Sequence, residues 1–378
     1  MNNYVISDIH GNAESLSALL DILKKKHPKG NFTLHIIGDL FDRGENSADG
    51  FKIVKNNHKN IKVLLGNHED LFMDFMESPV INYPRWQMNF SYPTIISFLT
   101  EEFKRFVYAN KIRLKDLATE FYAKRRKTES KLKKITKIPS ENLIKTYIGT
   151  IVSTISERDM RSPKHYFDSL INAVYPNLPA KEKIFIKNIC YVGLIDKFCE
   201  IYEYLSKLSI YSEVNGKYLL VHSGFVSKNE DKNQYDICDN DFYHECKSIN
   251  DIKSQSKFPL LWARRYETFT EKPVAPKERF DNHIIVYGHS ATDNFNTDKS
   301  LLPHFEYDKF GRLASIGLDG KNCDMANGEL NCLNLEDLSQ IIVWGSNEKH
   351  EKNYIVPSMT YTIIPYKNSF ENEPNQKQ

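Results

Sequence analysis

Apolar and polar positions in the first 77 residues repeat one design three times. A short apolar run, Tyr4–Ser7, ends in "DIHGN", after which Leu16, Leu19, Leu20 and Leu23 recur at helical spacing, with Asn12 placed to cap the helix. The run "FTLHIIG" ends in "DLFDRG" and precedes a helix carrying Phe51 and Val54. The run "IKVLLG" ends in "NHED" and precedes a helix with Leu71, Phe72, Phe75 and Met76. Three successive strand–turn–helix units predict parallel strands joined by right-handed crossovers. In such sheets ligands bind beyond the carboxyl ends of the strands, where each polar cluster here falls.

Two later stretches end in the same way. "YSEVNGKYLLVHSG" predicts a hairpin turning at Asn215-Gly216, with its second strand ending at His222. "NHIIVYGHS" predicts a strand running into Gly288 and His289. The segments "RLASIGLDG", "QIIVW" and "MTYTIIPY" are expected as a closing antiparallel meander, and the polar tail 367–378 as disordered. Between these strand-rich parts the period becomes helical. Ile95, Leu99, Phe103 and Phe106 form one stripe; Leu143, Ile144, Tyr147, Ile148, Ile151 and Ile155 form another behind a Ser140 cap. Ser162-Pro163 opens a third helix. The expected organisation is a catalytic domain in two parts, 1–77 and 188–366, interrupted by a helical insertion over 78–187.

Composition sharpens this division. Formal net charge is only +2, which excludes a partner chosen by overall charge. Residues 104–145 nevertheless hold 14 Lys plus Arg against 4 Asp plus Glu, so the rest of the chain is net −8. A run such as "KRRKTESKLKK" (124–134) is more often a solvated helix face than a binding surface, which keeps a nucleic-acid partner a minor expectation for this region. The six cysteines show no C-x-x-C and no zinc-ribbon spacing. They are expected to be reduced and structural, as in a cytoplasmic protein. No basic segment followed by an apolar one opens the chain, and no run of about 18 apolar residues exists, so neither a signal peptide nor a membrane span is expected.

The five strand tips together offer Asp8 and His10, Asp39, Asn67 and His68, His222, and His289. Asp8 and His10, two apart on an extended backbone, point the same way. Carboxylate, imidazole and amide donors suit manganese, iron or zinc, and suit neither a calcium cage nor a thiolate site. Two metals about 3.5–4 Å apart need a bridging carboxylate, and Asp39, on the middle tip in chain order, is the natural one. His35 lies mid-strand and is expected to pack in the core, and Asp319 to serve a turn.

The elements "DIHGN", "GDLFDRG", "GNHE", "VHSG" and "YGHS" resemble those of the calcineurin-like metallophosphoesterases. Within them the Arg-Gly closing "GDLFDRG" is similar to the phosphoprotein phosphatase branch, which includes bacterial diadenosine tetraphosphatases. The resemblance covers 1–77 and about 198–325, and leaves the helical block unaccounted for. It implies an α/β sandwich of two mixed β-sheets flanked by helices. It implies two divalent ions, manganese foremost, with Asp8, His10 and Asp39 holding one, and Asp39, Asn67, His222 and His289 the other. His68 would be the general acid, oriented by Asp42; Arg43, Asn67 and Arg264 would hold phosphate, with Arg265 as the competing choice beside Arg264. Direct hydrolysis by a hydroxide bridging the metals would follow, without a phosphoenzyme. The expected substrate is a phosphorylated protein, which makes a serine/threonine phosphatase the leading reading. A dinucleoside polyphosphate hydrolase is the alternative. A third reading, a silent binding module using the basic insertion, is opposed by the presence of every expected ligand. The insertion is expected near the site mouth, its positive charge drawing anionic substrates.

Overall fold

The computed structural model describes residues 2–109, 114–137, 142–153, 162–224, 248–252, 257–262, 279–324, 328–345 and 359–364. The three N-terminal units form as the apolar spacing predicts: β1 (Asn2–Ile6), α1 (Ala13–Lys26), β2 (Phe32–Ile36), α2 (Ser47–Asn56), β3 (Ile61–Val63) and α3 (Asn67–Glu77). Asn12 caps α1, its side-chain oxygen accepting from the Ser15 N–H at 3.2 Å. Six more helices follow: α4 (Pro79–Met88), α5 (Tyr92–Ala109), α6 (Leu114–Ile135), α7 (Leu143–Ser153), α8 (Pro163–Val174) and α9 (Ala180–Leu205). Ser162 caps α8 through the His165 N–H at 3.0 Å. Then come β4 (Tyr211–Val214), β5 (Tyr218–Val221), the short α10 (Ile249–Ile252) and α11 (Lys257–Trp262), β6 (Ile284–Tyr287), β7 (His304–Tyr307), β8 (Leu313–Gly317), β9 (Glu329–Asn334), β10 (Gln340–Gly345) and β11 (Met359–Ile364).

The strands make two mixed sheets, ordered β11-β10-β9-β1-β2-β3 and β4-β5-β6-β8-β7. β1, β2 and β3 pair in parallel, as do β5, β6 and β8. Side-chain alternation assigns the faces. Tyr4 and Ile6 enter the core beneath the helices, while Val5 between them enters the core between the sheets. On the second sheet Leu220 and Val286 join that inner core, and Leu219, Val221, Ile285 and Tyr287 pack outward with Ile252, Leu260 and Phe295. The β4–β5 hairpin turns where expected, with Asn215 at φ 55° and Gly216 at φ 60°.

Three features depart from the sequence reading. "RLASIGLDG" does not join the closing meander; β8 lies in the second sheet, parallel to β6, because its fully buried pattern suits a strand covered on both faces. β7 and β9 had no clear signature. "ELNCLN" alternates too weakly to predict a strand, yet β9 joins β1 to β10 and completes the meander with β11. Finally, the boundary expected at 187 falls inside the continuous helix α9. Leu132, Tyr147, Phe167 and Phe198 of the helical block share one apolar core with Leu16 and Phe72, so the block is packed onto the sheet's helices.

The basic run lies on α6, where Lys124 pairs with Glu102 at 3.3 Å and Lys131 with Asp196 at 2.7 Å. Part of its charge is therefore spent holding α6 to α5 and α9. No helix among the described residues is long and apolar enough to cross a membrane. Ser140, Ile155 and the tail 367–378 lie outside the described residues.

Candidate active site

Backbone hydrogen bonds tie the strand tips together before any side chain acts. The N–H groups of Ile9 and His10 both donate to the Asp39 carbonyl, at 2.9 and 2.8 Å, and the Gly11 N–H donates to the Leu40 carbonyl at 2.9 Å. His10 (φ 46°), Asp39 (54°), Asp42 (69°), Arg43 (66°) and His289 (63°) all adopt left-handed backbone. Each such non-glycine conformation costs about 1–3 kcal/mol and persists only where its surroundings hold it. Two glycines permit the close approach. A Cβ on Gly66 would stand 2.2 Å from Asp39 Oδ1, and one on Gly288 would stand 2.3 Å from Asp8 Oδ1.

The sheets bring His222, beyond β5, and His289, beyond β6, to the tips of β1, β2 and β3. The His289 N–H donates to Asp8 Oδ1 at 3.0 Å. The Nδ1 atoms of His10 and His222 lie 2.9 Å from the carbonyls of Phe41 and Ile37. Donation there leaves each Nε2 as a lone pair turned inward. His10 Nε2 is buried without a hydrogen-bond partner, 3.7 Å from Asp8 Oδ2 and 3.5 Å from Asp39 Oδ2. His222 Nε2 lies 2.8 Å from Asn67 Oδ1 and 3.4 Å from Asp39 Oδ1, and His289 Nδ1 lies 3.1 Å from the same amide oxygen. The Asn67 oxygen thus faces acceptors only, unless the amide is flipped to donate to them.

Converging acceptors with one unpartnered imidazole nitrogen are what a cation resolves, and nitrogen and oxygen donors fit divalent first-row metals. Ligand atoms of His10, Asp39 and His68 lie within 4.8 Å of one another, as do those of Asp39, His222 and His289. The two sets share Asp39. Asp8 borders the first set, opposite His10.

Without a cation the electrostatics are costly. Burial, with Asp8 and Glu69 nearby, pushes the Asp39 carboxyl well above the usual range. Burial, with His68 and Arg43 nearby, pushes His10 well below its ordinary value. Asp8 is also buried, but His222, His10 and the His289 N–H outweigh that and hold it low. A bound cation would reverse the penalty on the carboxylates.

Beside the ligands, His68 Nδ1 meets Asp42 Oδ2 at 2.9 Å, and both side chains are fully buried. Arg43 Nη2 stands 3.2 Å from His68 Nε2, with the arginine exposed at the mouth. Asp42 is gripped from the helical block: the Trp86 indole N–H donates to Oδ2 at 2.8 Å, and the Thr94 hydroxyl donates to Oδ1 at 2.8 Å while accepting from the Asp42 N–H at 2.8 Å. Burial pushes this carboxyl up to about 8, against the lowering effect of Thr94 and Trp86. The Arg43 N–H donates to the Phe90 carbonyl at 3.0 Å. Glu69 accepts from the N–H groups of Asp39 (2.8 Å), Leu40 (2.9 Å), Phe41 (3.2 Å) and Gly66 (3.1 Å), fixing the loop that carries Asp39.

Sequence reasoning assigned no role to Glu69, Trp86 or Thr94. Glu69 carried a signal, as the third helical residue behind Gly66, where a carboxylate reaches back to free N–H groups. Trp86 and Thr94 carried none, because only packing brings their helices to the Asp42 loop. Asp319 is buried and serves the expected turn, its Oδ1 accepting from the Lys321 N–H at 2.9 Å. His35 is buried, with Nε2 3.1 Å from Asn3 Oδ1. Arg264 and Arg265 lie outside the described residues.

The two-sheet sandwich thus gathers two nitrogen–oxygen donor sets that share one carboxylate and whose chemistry fits divalent metal ions. Residues 1–148 match the sequence model of the calcineurin-like phosphoesterases, to which this part of the chain is similar. The match includes Asp8, His10, Asp39, Asn67 and His68 and runs into the helical block; His222 and His289 lie beyond it. The chain is 38% identical over 69 residues to a symmetrical bis(5'-nucleosyl)-tetraphosphatase of Psychromonas ingrahamii, and 39% identical over 69 residues to one of Escherichia coli. These alignments take in 18% of this chain and 24% of each relative's length. Among solved structures, a metallophosphoesterase from Sphaerobacter thermophilus aligns at 12% identity with a TM-score of 0.33, over 89% of this chain and 84% of that one. A protein serine/threonine phosphatase from Saccharomyces cerevisiae, with similarity to human phosphatase PP5, aligns at 13% identity with a TM-score of 0.33, over 99% and 82%.

Proposed function

We propose that this chain is a dinuclear-metal phosphoesterase that hydrolyses phosphomonoesters, with phosphorylated serine or threonine in proteins as the leading substrate class. The observation that carries the reading is that Asp39 is shared by a cluster with His10 and His68 and a cluster with His222 and His289, while His68 also pairs with Asp42 and lies 3.2 Å from Arg43. His10, Asp39 and Asp8 would hold one ion, and Asp39, Asn67, His222 and His289 the other; manganese is the proposed metal, with iron or zinc as alternatives. When bound, the ions would supply Lewis-acid charge and an activated water. Arg43 would bind the phosphate through its planar donors, joined by Asn67 and Arg264. His68 would give a proton to the leaving oxygen, with Asp42 holding the ring so that Nδ1–H is occupied and Nε2 faces the substrate. Buried Cys190, Cys199 and Cys332 are free thiols, which supports a reducing, cytoplasmic setting.

A dinucleoside polyphosphate substrate is the second reading, favoured by the names of the curated relatives over the strand-tip motifs. Metal analysis of the purified protein, followed by turnover of an aryl phosphate, a phosphothreonine peptide and diadenosine tetraphosphate, tests both. Two equivalents of metal and loss of at least about 100-fold in kcat in His68→Asn are expected. Full turnover by metal-loaded Asp39→Asn would remove the bridging role.

A further inference from the structure

A cavity of about 490 Å³ opens from Arg43 and runs between the loop before α2, the exposed face of α5 and the start of α8. Its size lies within the range of ligand sites. At one end Arg43 touches His68, so the cavity is continuous with the proposed chemistry. The rest of it has a different electrostatic character. Glu45 and Asp49 line one wall, Glu101 and Lys104 the other, and Tyr166 stands at the far end with 39% of its surface exposed.

Lys104 pairs with Glu101, with Nζ 3.0 Å from Oε1, and its charge also interacts with Asp49. Among the described residues no cation lies within ion-pair distance of Glu45 or Asp49. Beyond Arg43 the lining therefore holds the carboxylates of Glu45, Asp49 and Glu101 against the single ammonium of Lys104, an excess of negative charge. A dinucleotide bound by one phosphate at Arg43 would carry its remaining phosphates past them, like charge against like charge. A polypeptide with Lys or Arg beside its phosphorylated residue would meet opposite charge there.

We infer that this cavity is a substrate groove for phosphorylated polypeptides carrying a basic residue next to the phosphoresidue. The inference rests on the phosphoesterase reading above and narrows its substrate class. It also revises how the helical block serves the site: α5 contributes one wall of an acidic groove, while the basic run on α6 contributes no residue to the lining.

The test uses the full chain loaded with Mn²⁺ and two phosphothreonine peptides that differ only in having Arg or Glu as neighbours. The wild type is expected to favour the basic peptide in kcat/KM by about five- to tenfold, chiefly through KM, with the preference shrinking as ionic strength rises. In the double variant Glu45→Gln/Asp49→Asn, which keeps side-chain size, the ratio should fall to within about twofold of unity. A wild-type ratio near one overturns the groove, as does a double variant that keeps the wild-type ratio, or diadenosine tetraphosphate turned over faster than either peptide. Aryl phosphate turnover by the wild type reports separately on the phosphoesterase reading. Were that absent, fluorescence anisotropy of the labelled peptides would still decide the groove, equal affinities counting against it.

Discussion

Thr94→Val removes one hydroxyl and almost no volume, and the structure indicates a large effect. The Thr94 hydroxyl donates to Asp42 Oδ1 at 2.8 Å, accepts from the Asp42 N–H at 2.8 Å and lies 3.0 Å from the Ser47 hydroxyl. Asp42 is fully buried and holds a left-handed backbone at φ 69°, so water cannot replace these partners without opening the loop. With the Asp42 carboxyl pushed up to about 8, its hydrogen bond counts as one to a neutral group, about 0.5–1.5 kcal/mol, and an orphaned buried N–H costs about 1–3 kcal/mol. Together they put the expected loss of stability at about 3 kcal/mol, seen as a fall of about 1 M in the urea midpoint for a slope near 3 kcal/mol/M. On the proposed role of Asp42 in orienting His68, kcat for an aryl phosphate should fall about 10- to 100-fold with KM little changed. Thr94→Ser, which keeps the hydroxyl, should restore most of both. In a double-mutant cycle with Asp42→Asn the effects on kcat should be strongly non-additive. A Thr94→Val protein within about 0.5 kcal/mol and twofold in kcat of the wild type would refute the claim that the helical block holds the Asp42–His68 pair.

Gly66→Ala should lower stability by about 2–3 kcal/mol and weaken Mn²⁺ binding measured by calorimetry, since the new methyl overlaps Asp39 Oδ1 and N at 2.2 and 2.3 Å. Chelation of the metals should lower the melting temperature by roughly 5 °C if each ion binds only the folded state at about 100 times its Kd, and an unchanged transition in EDTA would count against a metal centre. His35, buried with its imidazole pushed down to about 4 by burial and by Lys62, refuses a proton that the unfolded chain accepts below about pH 6.5. Folding stability should therefore decline as pH falls from about 6.5 to 4, by roughly 2–3 kcal/mol more in the wild type than in His35→Gln, followed by urea titration at each pH.

The metal-ligand candidates were legible because chemistry and local structure coincide in short stretches. Asp8 and His10, Asp39, and Asn67 and His68 each follow an apolar run that becomes a strand, and the run fixes where the tip lies. Asn12 and Ser162 could be read as caps for the same reason: a cap bonds within three residues of itself. β7 and β9 escaped because their weak alternation acquires meaning only beside a neighbouring strand. Thr94 and Trp86 escaped because their partner, Asp42, is 52 and 44 residues away, and no local rule relates them.

By itself, then, the sequence determined the strand–turn–helix units, the identity of the candidate ligands and the family to which they are similar. Tertiary structure decided which of those groups meet. His222 comes within 2.8 Å of Asn67 across 155 residues only because two sheets pack face to face with their tips at one end. It also decided that the helical block grips the Asp42 loop and walls an acidic groove, while the conspicuous basic run is partly paired elsewhere. Periodicity and motif spacing are properties of neighbouring residues; convergence, burial and the charge of a cavity are properties of surfaces that exist only after packing.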